Sequence, residues 1–390
     1  MAFLHATTAA AVGARQWFGT RPSTCDTGRR RRSAPSTTNA RAAPLSSDEG
    51  SSDDVIESVL QRVENSINNI ADTLLKPLQE NNGVLSRQWE KVRCNYILRP
   101  RTKAAKGVVH FVGGAFLGSA PHIVYQDVLE TICEEGGYVI VATAYDLSFD
   151  YVGLVEGICS NWEAVESELA AEYGALPVVG LGHSAGCVFL ALGNCLFADA
   201  LPRTKNVFMS FNNRRAESAI PLYAQVVQPL AALYERAEQQ WLGHLLSSAE
   251  QWSMECEEKV LQSRLSPRAL RTTVAPTARE LGAIGQQVAP LLRETASSRR
   301  EFYPPPEDVR AAISQLYAVR ETVLISFEND TLDDSDELET AIATAQQQVQ
   351  RVRVRGTHLT PTGVRSPLPS PPTRAALTAR LARAITPNGS

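Results

Sequence analysis

The feature that most constrains this chain is a junction at residues 177–186. An apolar run, 177–181, passes without a linker into Gly182-His183-Ser184-Ala185-Gly186, and 188–197 then read as a helix. A buried strand that turns at once into a helix needs a tight, strained corner. The flanking glycines let strand and helix approach closely. A serine at such a corner is either an exposed nucleophile or an N-cap hydroxyl in a glycine turn. The junction alone leaves both open.

The same rhythm of strand and helix runs on either side. Residues 95–98 and 107–112 read as strands, the second ending at Gly113-Gly114. Residues 121–134 read as a helix closed by Gly136-Gly137, followed by a buried strand at 138–144. A helix at 152–173, stopped by Gly174, precedes the junction, and a strand at 206–211 follows it. After Ile220 the alternation stops. Residues 221–315 are rich in helix formers, interrupted by Pro267, Pro276, Pro290 and Pro304 to Pro306. That stretch has the place of a helical lid. Strands return at 322–327 and 350–354 with a helix, 337–349, between them, and a Pro-rich stretch at 361–372 leads to an amphipathic helix at 374–384. Buried apolar strands with intervening helices imply a mostly parallel sheet covered on both faces. Together with the junction they predict an α/β-hydrolase fold. Its core falls in two parts, 88–220 and 316–390, with the lid insertion 221–315 between.

The first 87 residues differ in kind. Residues 1–47 are rich in Ala, Ser, Thr and Arg, and Asp26 is the only acid before Asp48. That is the composition of an organelle transit peptide, plastid before mitochondrial, or else of a disordered basic tail. Within 48–87, an acidic linker leads to a stripe of Ile56, Leu60, Val63, Ile67, Ile70 and Leu74, spaced four, three, four, three, four, with Pro77 as its stop. This amphipathic helix would either dock a protein partner or pack on its own domain.

Composition excludes several classes. The net charge of −4 offers no overall basic field for nucleic acid. The apolar runs fall short of the roughly 20 residues that span a bilayer. Seven cysteines form no Cys-x-x-Cys pair, which argues against a disulfide framework and a zinc site. No metal and no cofactor is expected.

A serine hydroxyl is a weak nucleophile and needs a base within hydrogen-bond reach. Six histidines are available. His5 lies in the leader, His110 inside a strand, His122 at a helix start and His244 in the insertion. His183 precedes the serine, so its side chain is expected on the opposite side of the turn. His358, in Gly356-Thr357-His358 just after the last strand, has the position of the base in the chain order serine, acid, histidine. The acid should follow the preceding strand. Asp330 in Glu328-Asn329-Asp330 fits best. Asp333 is the alternative, although Asp333 and Asp334 also suit the cap of the next helix, Asp334 and Glu337 having capping-box spacing. An acyl-transfer site needs donors for an oxyanion. The N–H of Ala185 would supply one, and Ala115 or Phe116 in the glycine-rich turn after the first long strand the other. Gly113 to Gly118 lack the Gly-x-Gly spacing of a dinucleotide site. Asn212 and Asn213 follow a strand end and either line the pocket or cap a turn.

At these residues the chain resembles the plant and cyanobacterial α/β-hydrolase-like proteins called domain of unknown function 1350. The matching runs are HFVGGAFLGSAP (110–121), GHSAG (182–186), SFNN (210–213), AIP (219–221) and GTHLTP (356–361). General hydrolases do not carry the third and fourth. Ala185 stands where a larger apolar residue is expected. The resemblance implies a photosynthetic source and a plastid address, and no particular substrate. Two readings follow. One is a plastid serine hydrolase cleaving an ester or lipid. The other is a catalytically silent binding or assembly module on the same fold.

Overall fold

The computed structural model describes residues 89–101, 104–219, 301–362 and 371–386. The leader 1–47, the acidic linker and Ile56–Leu74 stripe of 48–87, and residues 220–300 of the expected insertion lie outside the described residues.

Eight strands form one sheet in the order β1-β2-β4-β3-β5-β6-β7-β8. They are β1 (Glu90–Val92), β2 (Asn95–Leu98), β3 (Gly107–Val112), β4 (Tyr138–Thr143), β5 (Val178–His183), β6 (Lys205–Met209), β7 (Glu321–Phe327) and β8 (Gln348–Val354). The β1–β2 hairpin joins the sheet antiparallel against β4, and every other pairing is parallel. A parallel sheet of this order, with an antiparallel strand beside β4, is that of the α/β-hydrolase fold, as the sequence predicts.

The helices, in chain order, are α1 (Pro121–Val124), α2 (Gln126–Gly136), α3 (Tyr151–Tyr173), α4 (Ala185–Leu196), α5 (Ala216–Ala219), α6 (Pro306–Leu316), α7 (Ser335–Thr344) and α8 (Pro371–Ile385). They cover both faces. On one, α3, α4, α6 and α7 pack Trp162, Phe189, Leu192 and Ile313 against Val112, Val139 and Phe208. On the other, α1, α2 and α8 pack Leu129, Ile132, Leu377 and Leu381 against Phe111, Ile140 and Val207. Residues of β3, β4 and β6 are buried throughout, so these strands are mostly apolar and do not alternate with solvent-facing positions. Leu377, Leu381 and Ile385 lie four apart on α8 and all face inward.

Several local expectations need correction. The helix expected at 121–134 is two helices. The chain breaks at Tyr125, φ −109° and ψ 16°, whose ring is buried and whose hydroxyl is engaged inside the fold. The helix expected at 337–349 is α7, which ends at Thr344. Gln346 has φ 60°, and Gln348 already pairs with Glu321 as the start of β8. The polar run of glutamines hid the first two residues of the strand, which the sequence places at 350–354. β8 alternates exposed polar residues with part-buried Val349 and Val352 because it forms the sheet's edge, where charge discourages further pairing. β1 lacks an apolar signal for the same reason. Finally, residues 301–315, assigned from sequence to the insertion, belong to the core. Pro306 starts α6, and Val309, Ala312 and Ile313 are fully buried against α4. The prolines at 304–306 mark that helix's first turn, where proline is tolerated, rather than a break in a lid.

Candidate active site

β5 ends at His183 and α4 begins at Ala185, so a single residue makes the corner. Ser184 has φ 54° and ψ −124°, a conformation that costs a non-glycine residue roughly 1–3 kcal/mol. The surroundings hold it there. Its N–H donates to the carbonyl of Met209 in β6 at 3.0 Å, and its own carbonyl accepts from the N–H of Cys187 at 3.1 Å. Close approach makes the glycine at 186 obligatory. A Cβ there would stand 2.2 Å from the carbonyl oxygen of Val112 and 2.4 Å from that of Gly113.

The structure brings Ser184, His358 and Asp330 together from three chain segments. Ser184 Oγ lies 2.9 Å from His358 Nε2, and His358 Nδ1 lies 3.0 and 3.1 Å from the two carboxylate oxygens of Asp330. A carboxylate only accepts, so Nδ1 carries the proton. Nε2 is then an acceptor for the serine hydroxyl. The Asp330 side chain is fully buried. Burial pushes its carboxyl up, but the hydrogen bond and charge of His358, the Ser210 hydroxyl and the Leu332 N–H outweigh this and hold it below the usual range. Ser210 is itself at φ 51°. Its hydroxyl is buried without a well-formed hydrogen bond, beside the acid that its dipole helps to ionise.

Asp333 does not reach His358. Its Oδ1 accepts from the N–H and hydroxyl of Ser335. The capping box expected between Asp334 and Glu337 does not form. Asp334 Oδ1 accepts from Arg214 Nε at 3.0 Å and Oδ2 from the Asn213 N–H at 3.2 Å, while Glu337 pairs with Arg310. An arginine from the β6–α5 loop outcompetes the local cap. Asn212 and Asn213 have structural bonds: Asn212 Oδ1 accepts from the Arg214 N–H, and Asn213 Nδ2 donates to the carbonyl of Pro306. Asn213 thereby ties the end of β6 to α6 and to the start of α7.

The two oxyanion candidates in the first loop differ. Phe116 has φ 60° and ψ −49° and precedes a short 3₁₀ turn, Leu117–Ser119. The carbonyls of Gly114 and Ala115 are used by the N–H groups of Gly118 and Leu117, both at 2.7 Å, and the N–H of Gly114 by Tyr125. Among the described residues the N–H of Ala115 has no partner, and that of Ala185 is a first-turn helix donor without an intrahelical acceptor. The loop lies against the serine, since a Cβ on Gly114 would meet Ser184 Cβ at 3.1 Å.

His183 corrects the sequence reading. Its ring does not turn away from the site but lies 5.0 Å from that of His358, fully buried. Its Nε2 is 2.9 Å from the His358 carbonyl and its Nδ1 is 2.9 Å from the Tyr125 hydroxyl. Sequence reasoning missed Tyr125 entirely. Tyr145 was missed too, although its hydroxyl donates to the Gly113 carbonyl at 2.9 Å and its ring packs on Gly118. The other described histidines have different work. His110 bonds Thr143 at 2.8 Å and stacks on Trp162, and His122 stacks on Tyr96. The Cys187 thiol is buried and pushed well above its usual range, so it packs rather than reacts. Among the described residues no cluster of His, Cys, Asp and Glu has metal-ligand geometry, and no helix is long and apolar enough to cross a membrane. A separate cleft of about 380 Å³ is lined by residues such as Arg93, Tyr145 and Gly157, and by none of Ser184, His358 and Asp330.

No curated protein sequence matches this chain. Similar solved structures include a hyperthermophilic esterase from the archaeon Pyrobaculum calidifontis, 14% identical, covering 85% of this chain and 96% of its own, at a TM-score of 0.45. A fungal esterase from Rhizomucor miehei is 13% identical, with 80% and 89% covered and a TM-score of 0.45. Carboxyl esterase 2 from the mycorrhizal fungus Tuber melanosporum is 13% identical, with 74% and 78% covered and a TM-score of 0.44. The fold assignment itself stands on the strand order above. The family model described as protein of unknown function (DUF1350) matches residues 88–366, the whole of the sheet with the loop that carries His358. The chain belongs to the DUF1350 family.

Proposed function

We propose that this protein is a serine hydrolase that cleaves ester bonds by acyl transfer through Ser184. The observation that carries the reading is the unbroken chain from Ser184 Oγ through His358 to Asp330, with each link between 2.9 and 3.1 Å. Such a chain activates a hydroxyl at neutral pH. His358 Nε2 takes the hydroxyl proton as Oγ attacks the ester carbonyl. The oxyanion that forms is met by the N–H groups of Ala185 and Ala115. His358, now an imidazolium stabilised by Asp330, returns the proton to the leaving alkoxide. Water then repeats the sequence on the acyl-serine, releasing the acid and restoring Oγ–H.

The Leu, Val and Trp content of 221–300 supports an apolar acyl or alcohol part. The composition of 1–47 supports a plastid address. A partner docked by the Ile56–Leu74 stripe is compatible with this activity.

The test is covalent. A fluorophosphonate should label the protein at Ser184, and Ser184→Ala should abolish labelling and lower short-chain p-nitrophenyl ester hydrolysis by about 10⁶-fold, with Asp330→Asn lower by about 10⁴-fold. Wild-type protein that is folded yet unreactive would favour the binding-module reading.

A further inference from the structure

The mechanism above leaves a buried chain of hydrogen bonds unused. It starts at the N–H of Gly114, which donates to the Tyr125 hydroxyl at 2.9 Å. The Tyr125 hydroxyl meets His183 Nδ1 at 2.9 Å, and His183 Nε2 meets the carbonyl of His358 at 2.9 Å. Only one polarity satisfies every member. A carbonyl can only accept, so His183 carries its proton on Nε2. Nδ1 is then bare and accepts, so Tyr125 donates its O–H. Its oxygen is left to accept from Gly114.

We propose that Tyr125 and His183 are positioning residues that lock the oxyanion loop to the backbone beneath the catalytic base. The inference rests on the hydrolase reading of Ser184. The lock joins three pieces by one continuous run of hydrogen bonds: the 113–119 loop, the serine corner and the loop bearing His358. That last loop starts with Gly356 at φ 148°, whose carbonyl accepts from the Asn329 N–H at 2.9 Å, and past that point it is braced by short local bonds, Thr357 N–H to Thr360 Oγ1 at 2.7 Å and Thr360 N–H to the Thr357 carbonyl at 2.9 Å. His183 adds a long-range bond at the residue that carries the base. Tyr125 does the same for the loop that carries Ala115. Its position at the break between α1 and α2 gives the break a purpose, because a continuous helix would direct this side chain elsewhere.

The lock has an electrostatic side as well. Burial, and then the charge of His358, lower the His183 imidazole to about 3. It therefore stays neutral while its neighbour 5.0 Å away becomes cationic during turnover. A charged His183 would oppose that step. The Tyr125 donor holds His183 in the one tautomer that attracts, rather than repels, the His358 carbonyl.

Three variants test this: Tyr125→Phe, His183→Gln and His183→Ala. The Gln amide keeps a donor near the position of Nε2 and does not depend on Tyr125 for its polarity. Rates of fluorophosphonate labelling and kcat and KM for a p-nitrophenyl ester are measured with thermal midpoints. Tyr125→Phe is expected to slow labelling and kcat by about 10- to 100-fold with KM changed less than about twofold, the range set by a small misplacement of reacting groups. His183→Gln should label about tenfold faster than His183→Ala, and adding Tyr125→Phe to His183→Gln should slow it by less than about threefold. Labelling of Tyr125→Phe at the wild-type rate overturns the proposal, and so does equal slowing by that change in both backgrounds. If Tyr125→Phe does not fold, the His183 pair decides alone, and equal rates for Gln and Ala overturn it. A wild type that reacts at Ser184 while the variants match it removes only this inference. An unreactive wild type removes the hydrolase reading and this inference with it.

Discussion

At the scale of single residues, His183 carries a consequence beyond geometry. Its ordinary value near 6.5 holds in the unfolded chain, and its value of about 3 in the fold means that the native state refuses a proton the unfolded state accepts. Between those values stability therefore rises with pH, by about 1.4 kcal/mol per unit at most for this one group. The contribution is present above about pH 6.5 and is lost as pH falls towards 3. Asp330, held below the usual carboxylate range, acts in the same direction at lower pH. Denaturant midpoints taken from pH 7 to pH 4 should fall steeply in the wild type and less so in His183→Gln. Parallel slopes would mean that His183 is protonated in the fold. Ser184, His358 and Asp330 were all legible as candidates, because their roles tie them to strand ends. The direction of the His183 ring was not. A residue before a corner is placed by the backbone conformation of the corner, and by which loops close over it.

At the scale of elements, apolar pattern located the strands that are buried on both faces, missed β1 at one edge and found β8 at the other only from residue 350. β1 and β8 present polar side chains to water, so their sequences carry little apolar signal. Arg351 illustrates the cost of reading β8 locally. It pairs with Asp336 and Glu339 of α7 and donates to Ser326 of β7 at 3.0 Å, contacts that exist only once α7 packs beside the sheet. The assignment of 301–315 to a lid failed for another reason. Pro304 to Pro306 looked like punctuation within a polar helical region, yet the apolar face of α6 is as buried as any strand. If α6 belongs to the core, Ile313→Ala should destabilise the protein by about 2–5 kcal/mol, read from its urea midpoint. A loss under about 1 kcal/mol would return α6 to the periphery.

At the scale of the whole molecule, the described residues that flank 220–300 meet. The N–H of Ala216 donates to Glu301 Oε1 at 2.9 Å, and Arg215 lies 3.6 Å from Glu301 Oε2. Beyond Glu301 the chain is stitched back to the core by Tyr303, whose N–H bonds the Phe149 carbonyl and whose carbonyl accepts from Tyr151. A segment whose flanks are already joined can leave without opening the core, since closing a loop between neighbouring points costs little. Replacing 220–300 by a short Gly-Ser linker should therefore leave a folded, Ser184-reactive protein whose preference among acyl chain lengths is altered. Loss of the folded state would show that the segment is part of the core after all. The amino-acid sequence by itself determined the fold class, the corner at Ser184, the candidate histidine and a short list of candidate acids, since each depends on local pattern: buried apolar runs, a glycine-flanked turn, and polar residues just past strand ends. Only the tertiary structure decided that Asp330 rather than Asp333 faces His358, that Asn213 braces α6 and α7, and that Tyr125, His183 and Gly114 form one chain. That last chain rests on contacts between residues 11, 58 and 175 positions apart in sequence, and no periodicity in a sequence encodes which distant hydrogen-bond partners a closed fold will bring together.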